Sequence, residues 1–591
     1  MCGIAGVFGR NDRATVEAML ATLHHRGPDD GFVVAGERFA LGARRLSIID
    51  VEGGRQPMSD ETGHIWAAQN GELYNYATLR KRLMAGGHIL HTHCDTEVLP
   101  HLYQEFGTEV PAHIDGMFAV AMWDDVRHRG VLARDRMGKK PLYYYQAADA
   151  LYFASEIKAL LVVPGFDRQL NLEALHHYLS LKHVPHPHSI FKGIAVLPPA
   201  HRLVYEPGHP PRVERYWDVS FAGEPAMVNA SDDEAADRVL ELLKQGIERR
   251  LMSDVPIGFF LSGGLDSSLT TAIAAEAASG PIKTFTLTYG ADSTTAGKDQ
   301  DQRWARWVAE KYCTEHHEEV VAFTGFPDSI RQILKCFDEP FAGVVSSYFL
   351  SQLIAKHVKV ALSGDGADEL FGSYRTHRLA AEKTDATGDG AWRSQFVVLN
   401  ETEKHDLYAP HVAEALRQAS TNAWFEQTFA HLTATDPLNR VLEAEFRTVF
   451  PDQVLTYGDR LSMAHSLEVR SPYLDTDLVT LVAGLPARMK IRTGETKYLL
   501  KHLARRYFPA EMVERPKEGF LMPVTQWFQN DLEAYVRRTL SPERLALHGL
   551  FRQDAVAAMV NRLYQPGSDY HQVNRVMALV IFQEWFELYL A

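Results

Sequence analysis

Three apolar runs in the second half of the chain constrain its fold most: IGFFL (257–261), IKTFTLTY (282–289) and VKVAL (358–362). Stretches of helical character separate them. Apolar strands separated by helical stretches predict a parallel sheet covered by helices on both faces. A helix leads into the region from Asp232–Asp233. Val239, Leu243, Ile247 and Leu251 recur there every four residues, and Leu240 widens the stripe. Roughly the last 150 residues read as mostly helical.

Residues 1 to about 205 have another texture. Short β-like runs (Gly3–Phe8, Ile65–Gln69, Met117–Trp123, Gly130–Ala133, Leu142–Tyr145) alternate with Gly, Asn and Asp turns. Amphipathic helices are expected at Tyr76–Ala85 and Thr96–Phe106. Residues 206–233 carry several prolines and no sustained period, and read as a connector. At 591 residues the chain is too long for one core. We expect a first domain over 1–215 and a second over 216–591.

Cys2 stands next to the initiator methionine. With Met1 trimmed, Cys2 carries a thiol and an α-amine whose pKa is roughly 7.7–8.0, so part of the amine is neutral near pH 7. Such an amine can take the thiol proton, which activates a nucleophile without a histidine. The other cysteines, Cys94, Cys313 and Cys336, show no metal spacing and are expected to be packing residues with free thiols. A net charge of −14 argues against a nucleic-acid or anionic-membrane binder. There is no run of 18 apolar residues and no signal-peptide pattern, so the expected location is cytoplasmic.

The first half holds MCGIAGVFG (1–9), HRGPDD (25–30), RLSIID (45–50), QPM (56–58), NGELYN (70–75), CDTEV (94–98) and GMFAVAMWD (116–124), in that order. LARDRMGKKPLYY (132–144) and FASEIKALL (153–161) follow. Together they resemble the glutamine amidohydrolase domain of the class II amidotransferases, the last two being similar to its asparagine synthetase branch. The resemblance implies an α+β, Ntn-type αββα sandwich with Cys2 as nucleophile. It implies an oxyanion hole from the Asn70 side chain and the Gly71 N–H. It implies Arg45 on the glutamine carboxylate, a match a guanidinium makes in two-pronged fashion, with Glu72 and Asp95 on its α-ammonium. This chain departs from the family pattern at Gly31-Phe32, at Gln69 and at Lys139, the last replacing a usual apolar residue.

In the second half, SGGLDSS (262–268) follows an apolar strand and opens a helix. Glycines let backbone approach phosphate oxygens, and N–H groups at a helix start favour anions. No Walker-type sequence is present. The segment resembles the pyrophosphate loop of the ATP pyrophosphatases, which cleave ATP between its α and β phosphates and give AMP to a carboxylate. The fold implied is α/β, adenine nucleotide alpha hydrolase-like. ATP would lie on Leu261, Ser262, Gly263, Gly264, Asp266, Ser267, Ser268, Ser363 and Gly364. Mg²⁺ suits one or two carboxylates with phosphate oxygens. The resemblance assigns it to Asp266 and to Asp368 of SGDGADELFGSY (363–374), with Asp365 near the acyl-adenylate, placed to deprotonate ammonium. GETKYLLK (494–501) presents Lys497 for phosphoryl charge, and RPKEGF (515–520) offers Lys517 as a weaker candidate. DEPF (338–341) matches a motif near the active site. DRLSMAHSLEVRSPYLD (459–475) resembles the helix and loop on the acceptor side. Thr456-Tyr457-Gly458, where many relatives are basic, and Gly343-Val344-Val345 are departures on that side.

The two halves together imply a glutamine-hydrolysing, ATP-dependent amidation, with aspartate as acceptor and ammonia crossing an internal tunnel. ATP and Mg²⁺ are the cofactors expected, and by analogy with the family a homodimer. An amidotransferase of the same build on another carboxylate is the alternative. A ring-closing relative would lack the intact Cys2 set, and a dead scaffold would lack Asp266, Asp368 and Lys497.

Overall fold

The computed structural model describes residues 2–223, 227, 229–289, 298–321, 326–382, 389–515 and 524–591. Its first half holds two antiparallel sheets of six strands. In one, the order is Ile194–Val196, Tyr143–Gln146, Leu151–Ala154, Cys2–Phe8, Phe39–Arg45, Asp30–Ala35. In the other, it is Arg212–Arg215, His201–Tyr205, Arg129–Arg134, Gly116–Asp124, Ile65–Leu73, Met58–Ser59. Ile4, Phe8, Phe39, Ala68, Ala121, Trp123 and Leu132 fill the space between the sheets. Helix Arg13–Thr22 covers the first sheet through Val16, Met19 and Leu20. Helices Tyr76–Ala85 and Val98–Phe106 cover the second through Leu79, Leu83, Val98, Leu99 and Leu102. The layers are αββα.

The second half is built on a five-stranded parallel sheet. Its order is Glu315–Val321, Lys283–Tyr289, Ile257–Phe260, Val360–Leu362, Glu468–Arg470. The three apolar runs occupy its middle, as their patterning requires. The described residues beyond Ala487 are mostly helical.

Several expectations are corrected. Residues 212–215, read as connector, form an edge strand on His201–Tyr205. Helix Asp232–Arg250 begins with a reciprocal Ser231–Glu234 cap, which satisfies two end donors at once. It buries Leu242 beside Val239, Leu243 and Ile247, while Leu240 and Leu251 are only partly covered. Cys94 is buried, but Cys313 is exposed and Cys336 half-buried. Cys313 has φ +52° just past the end of a helix, so its side chain turns away from the core. Among the described residues no helix is long and apolar enough to cross a membrane.

Candidate active sites

Two groups of the predicted residues gather separately, one in each half. In the first, antiparallel pairing sets Cys2 directly opposite Arg45. The neighbouring sheet brings Asn70, Gly71 and Glu72 in on one strand. The Cys2 nitrogen donates to Asn70 Oδ1 at 3.3 Å. The Asn70 amide nitrogen is fully buried and has no hydrogen-bond partner among the described residues. A buried donor left unpaired is costly, so it points to an acceptor supplied by a ligand. Gly71 has φ +144°, and a Cβ there would lie 1.9 Å from the Met117 carbonyl oxygen. Only glycine fits this turn of strand beside the nucleophile.

Arg45 is clasped by the loop that follows it. Nη1 donates to the Val51 carbonyl, and Nη2 to those of Ile49 and Asp50. Nε–H and one Nη1–H remain for a ligand. Burial pushes the Cys2 thiol up, while a hydrogen bond from the Leu46 backbone and the Arg45 charge act the other way. Burial also raises Asp95, which accepts from Leu73 N at 2.9 Å and Gln69 Nε2 at 2.7 Å. Glu72 is raised well above the usual carboxylate range, first by burial, then by Glu468 and Asp95. Its Oε2 has no hydrogen bond among the described residues. Two buried carboxylates in this condition suit a cationic ligand.

Sequence reasoning undervalued Gln69 here. It fastens Asp95 through its side chain, and its backbone N–H donates to Gln56 Oε1 at 2.8 Å. Gln56 Nε2 in turn lies 3.8 Å from Cys2 Sγ. A glutamine before NGE, where the family pattern is commonly apolar, was the available signal.

Removing the Asn70 amide should cost a large part of turnover at Cys2. For Asn70→Ala we expect glutamine hydrolysis to lose about 10²–10³ in kcat, with a smaller change in KM. An unchanged kcat would remove Asn70 from the oxyanion role.

In the second half, SGGLDSS joins strand Ile257–Phe260 to helix Leu265–Ala277. Gly263 has φ +76°, and a Cβ on it would lie 2.0 Å from the Asp301 carbonyl oxygen. Ser262 Oγ accepts from Gly264 N at 3.2 Å and meets Ser267 Oγ at 3.0 Å. Gly264 caps the helix without a side chain, which leaves the first-turn N–H groups to an anion. Ser268 Oγ is buried without a partner among the described residues. Leu261 is buried in the core, its N–H on Phe285 O and its carbonyl bonded to Thr286 Oγ1. Gly364 packs against the loop: a Cβ there would be 3.0 Å from both Asp266 Cβ and Ser267 N. Ser363 Oγ donates to Asp365 Oδ2 at 2.8 Å.

Asp266 and Asp368 converge on one cation. Lys497 Nζ contacts Asp266 Oδ1 and Oδ2 at 2.7 and 2.6 Å and pairs with Asp368 Oδ1. The two carboxylates raise the Lys497 ammonium above its ordinary range against the effect of burial. Lys497 itself sits at φ +53°. Two hard carboxylates, partly open and at the mouth of a phosphate loop, form a donor set that fits Mg²⁺. Arg515, which the motif reading passed over, donates to the Gly263 carbonyl at 2.6 Å and pairs with Asp301 at 2.7 Å. Lys517 lies outside the described residues.

The remaining motifs build the junction between the halves. Asp459 pairs with Arg26 at 2.9 Å and Lys140 at 3.3 Å, and Arg460 with Glu156 at 3.0 Å. All five of these side chains are buried. Asp338 of DEPF accepts from Lys158 N and Tyr589 Oη, and Glu339 from Ile190 N. Burial holds Glu339 up at about 7, and it lines a junction cavity with Arg134, Tyr143, His183 and Asp452. Strand Glu468–Arg470 reaches both sites. Arg470 Nη2 lies 3.5 Å from Glu72, and the next residue, Ser471, lies 3.2 Å from Ser363 Oγ.

Comparison with known proteins decides the family. The profile of the family described as Asparagine synthase matches residues 238–587, more than half of the chain. The chain belongs to the asparagine synthase family. A Glutamine amidotransferase domain profile matches residues 1–217. Glutamine-hydrolysing asparagine synthetase 1 of Bacillus subtilis is 29% identical, over 100% of this chain and 97% of its own length. Asparagine synthetase 3 of the same organism is 32% identical, over 93% and 92%. Asparagine synthetase 2 is 29% identical, over 88% and 72%. In this family member, the range matched by the amidotransferase profile includes Cys2, Arg45 and Asn70–Glu72. The range matched by the synthase profile includes the phosphate loop, Asp365, Asp368 and Lys497.

Proposed function

We propose that this chain makes asparagine from aspartate, drawing nitrogen from glutamine and energy from ATP. One observation supports the pairing of chemistries best: strand Glu468–Arg470 sets Arg470 against Glu72 and passes directly to Ser471 beside Ser363. A single three-residue strand thus ties the Cys2 site to the nucleotide cleft.

With Met1 removed, the Cys2 amine takes the thiol proton, and the sulfur attacks the glutamine amide carbon. Negative charge on the former carbonyl oxygen is met by the Asn70 amide and the Gly71 N–H. The amine returns the proton to nitrogen as the C–N bond breaks, giving ammonia and a thioester. Water then releases glutamate. Arg45 holds the substrate carboxylate, and Glu72 with Asp95 hold its α-ammonium.

In the cleft, the aspartate β-carboxylate attacks the α-phosphorus of ATP and pyrophosphate leaves. The first-turn N–H groups of helix Leu265–Ala277 and the Lys497 ammonium bind the phosphoryl oxygens. Asp266 and Asp368 would hold Mg²⁺, which supplies further positive charge to the departing pyrophosphate. Ammonia attacks the acyl carbon of the resulting β-aspartyl-AMP, and AMP leaves. Asp365 accepts the proton that the new amide sheds. The domains assigned to these steps are residues 1–215 and 216–591. Its partners in this reading are small-molecule substrates, and the location assigned to it is the cytoplasm.

The test is pyrophosphate release with ATP, Mg²⁺ and glutamine, with and without aspartate, and analysis of the product. Aspartate-dependent release with asparagine formed is expected. Glutamine hydrolysis without it would overturn aspartate as acceptor and pass that place to another carboxylate.

A further inference from the structure

Lys139 differs from the other charged groups of the nucleotide cleft in coming from the opposite half of the chain. It follows strand Arg129–Arg134 in a turn fixed by Asp135, whose carboxylate accepts from Lys139 N and Lys140 N, each at 2.9 Å. The Lys140 side chain goes to Asp459. The Lys139 side chain passes the other way, to the carboxyl ends of strands Val360–Leu362 and Glu468–Arg470. Nζ lies 3.2 Å from Ser471 Oγ and 3.7 Å from Asp365 Oδ2. In open α/β sheets this end of the strands is where ligands bind.

The Lys139 side chain is 4% exposed. It has three donors and makes one hydrogen bond among the described residues, to a neutral hydroxyl. Asp365 already accepts from Ser363 at 2.8 Å and stays beyond hydrogen-bond reach of Nζ. A buried cation so thinly partnered is costly, and an arriving anion offsets that cost. Gly458 keeps room for one. A Cβ at 458 would stand 3.7 Å from Nζ and 3.8 Å from Asp365 Oδ2, with no other described atom beyond its own helix within 4 Å. Gly458, in helix Thr456–Met463, therefore faces the two charges with no side chain of its own between them.

We propose that Lys139 completes the acceptor pocket across the domain junction, its ammonium binding a second carboxylate of the acceptor. The acceptor is then a dicarboxylate: one carboxylate reacts with ATP beside the phosphate loop, and the other rests on Lys139 in the space Gly458 leaves. This rests on the acceptor-amidating reading above. It also means that the pocket is whole only when the half that makes ammonia is docked.

The experiment uses the full chain with ammonium chloride as nitrogen donor, following pyrophosphate release against aspartate and against ATP. Lys139→Met should raise the aspartate KM by about 30-fold or more, with the ATP KM within about twofold of wild type. Lys139→Arg should recover most of the loss, because it restores the charge. Gly458→Val should raise the aspartate KM without altering any charge, and it keeps the test open if Lys139→Met does not fold. An unchanged aspartate KM in Lys139→Met or Gly458→Val would overturn the proposal. So would a parallel rise in the ATP KM, which marks a purely structural lysine. Failure of the acceptor reading looks different: wild type itself would release no aspartate-dependent pyrophosphate.

Discussion

Cys2→Ala should abolish glutamine use and leave ammonia-dependent synthesis in place. The expected loss of glutamate release is about 10⁴-fold or greater, because the sulfur that forms the covalent bond is removed. Gln56 and Asn70 contact Cys2, and neither amide is a nucleophile. Alanine removes only the sulfur, so Arg45 and Asp95 keep the backbone and side-chain partners that place them. Glutamine should still bind. Product formation from ammonium chloride, ATP and aspartate should stay within about threefold of wild type, since the nucleotide cleft has its own strands and loop. Glutamate release within tenfold of wild type would rule out Cys2 as the nucleophile. Loss of both activities would show that the thiol also supports the junction.

Much of this arrangement is legible before any coordinates. The middle of the parallel sheet follows from apolar content, and the αββα order from the resemblance to the class II amidotransferases. The phosphate loop follows from glycine placement between a strand and a helix. The parts that are not legible share a physical cause. Glu315–Val321 is an edge strand of EHHEEVV, too polar to signal burial, and Glu468–Arg470 is three residues long within a loop-like segment. Neither carries a period. Leu242, rather than Leu240, faces the core because a helix brings position i+3 as well as i+4 onto the stripe of Val239, which a four-residue count skips. The junction pairs Arg26 with Asp459, 433 positions away, and Lys139 with Ser471, 332 away. Local composition holds no trace of such partners. Buried charges at 26, 140, 156, 459 and 460 read singly as surface residues. Only the fold shows that they neutralise one another, and breaking such a pair costs about 3–5 kcal/mol.

Asp266→Asn carries the other large expectation: pyrophosphate release lost, glutamine hydrolysis kept. Asp266 stands in the first turn of helix Leu265–Ala277, directly after the glycines. Both of its oxygens meet Lys497 Nζ, and Asp368 meets the same ammonium from the neighbouring strand end. The substitution removes one of the two negative charges that orient this cation and that are placed to hold Mg²⁺. A metal supplies several kcal/mol of charge stabilisation, and each 1.36 kcal/mol is tenfold in rate. The expected fall in kcat is therefore about 10³ or more. Asparagine is nearly isosteric with aspartate, and Tyr473 Oη contacts the backbone carbonyl of residue 266 at 3.3 Å, so the loop should keep its shape. Glutamine hydrolysis at Cys2 serves as the folding control, because it depends on a separate sheet. Near-normal pyrophosphate release would mean that Asp368 and the helix N–H groups suffice, and would remove Asp266 from the metal assignment. A collapse of both activities would instead place Asp266 among the residues on which the fold depends.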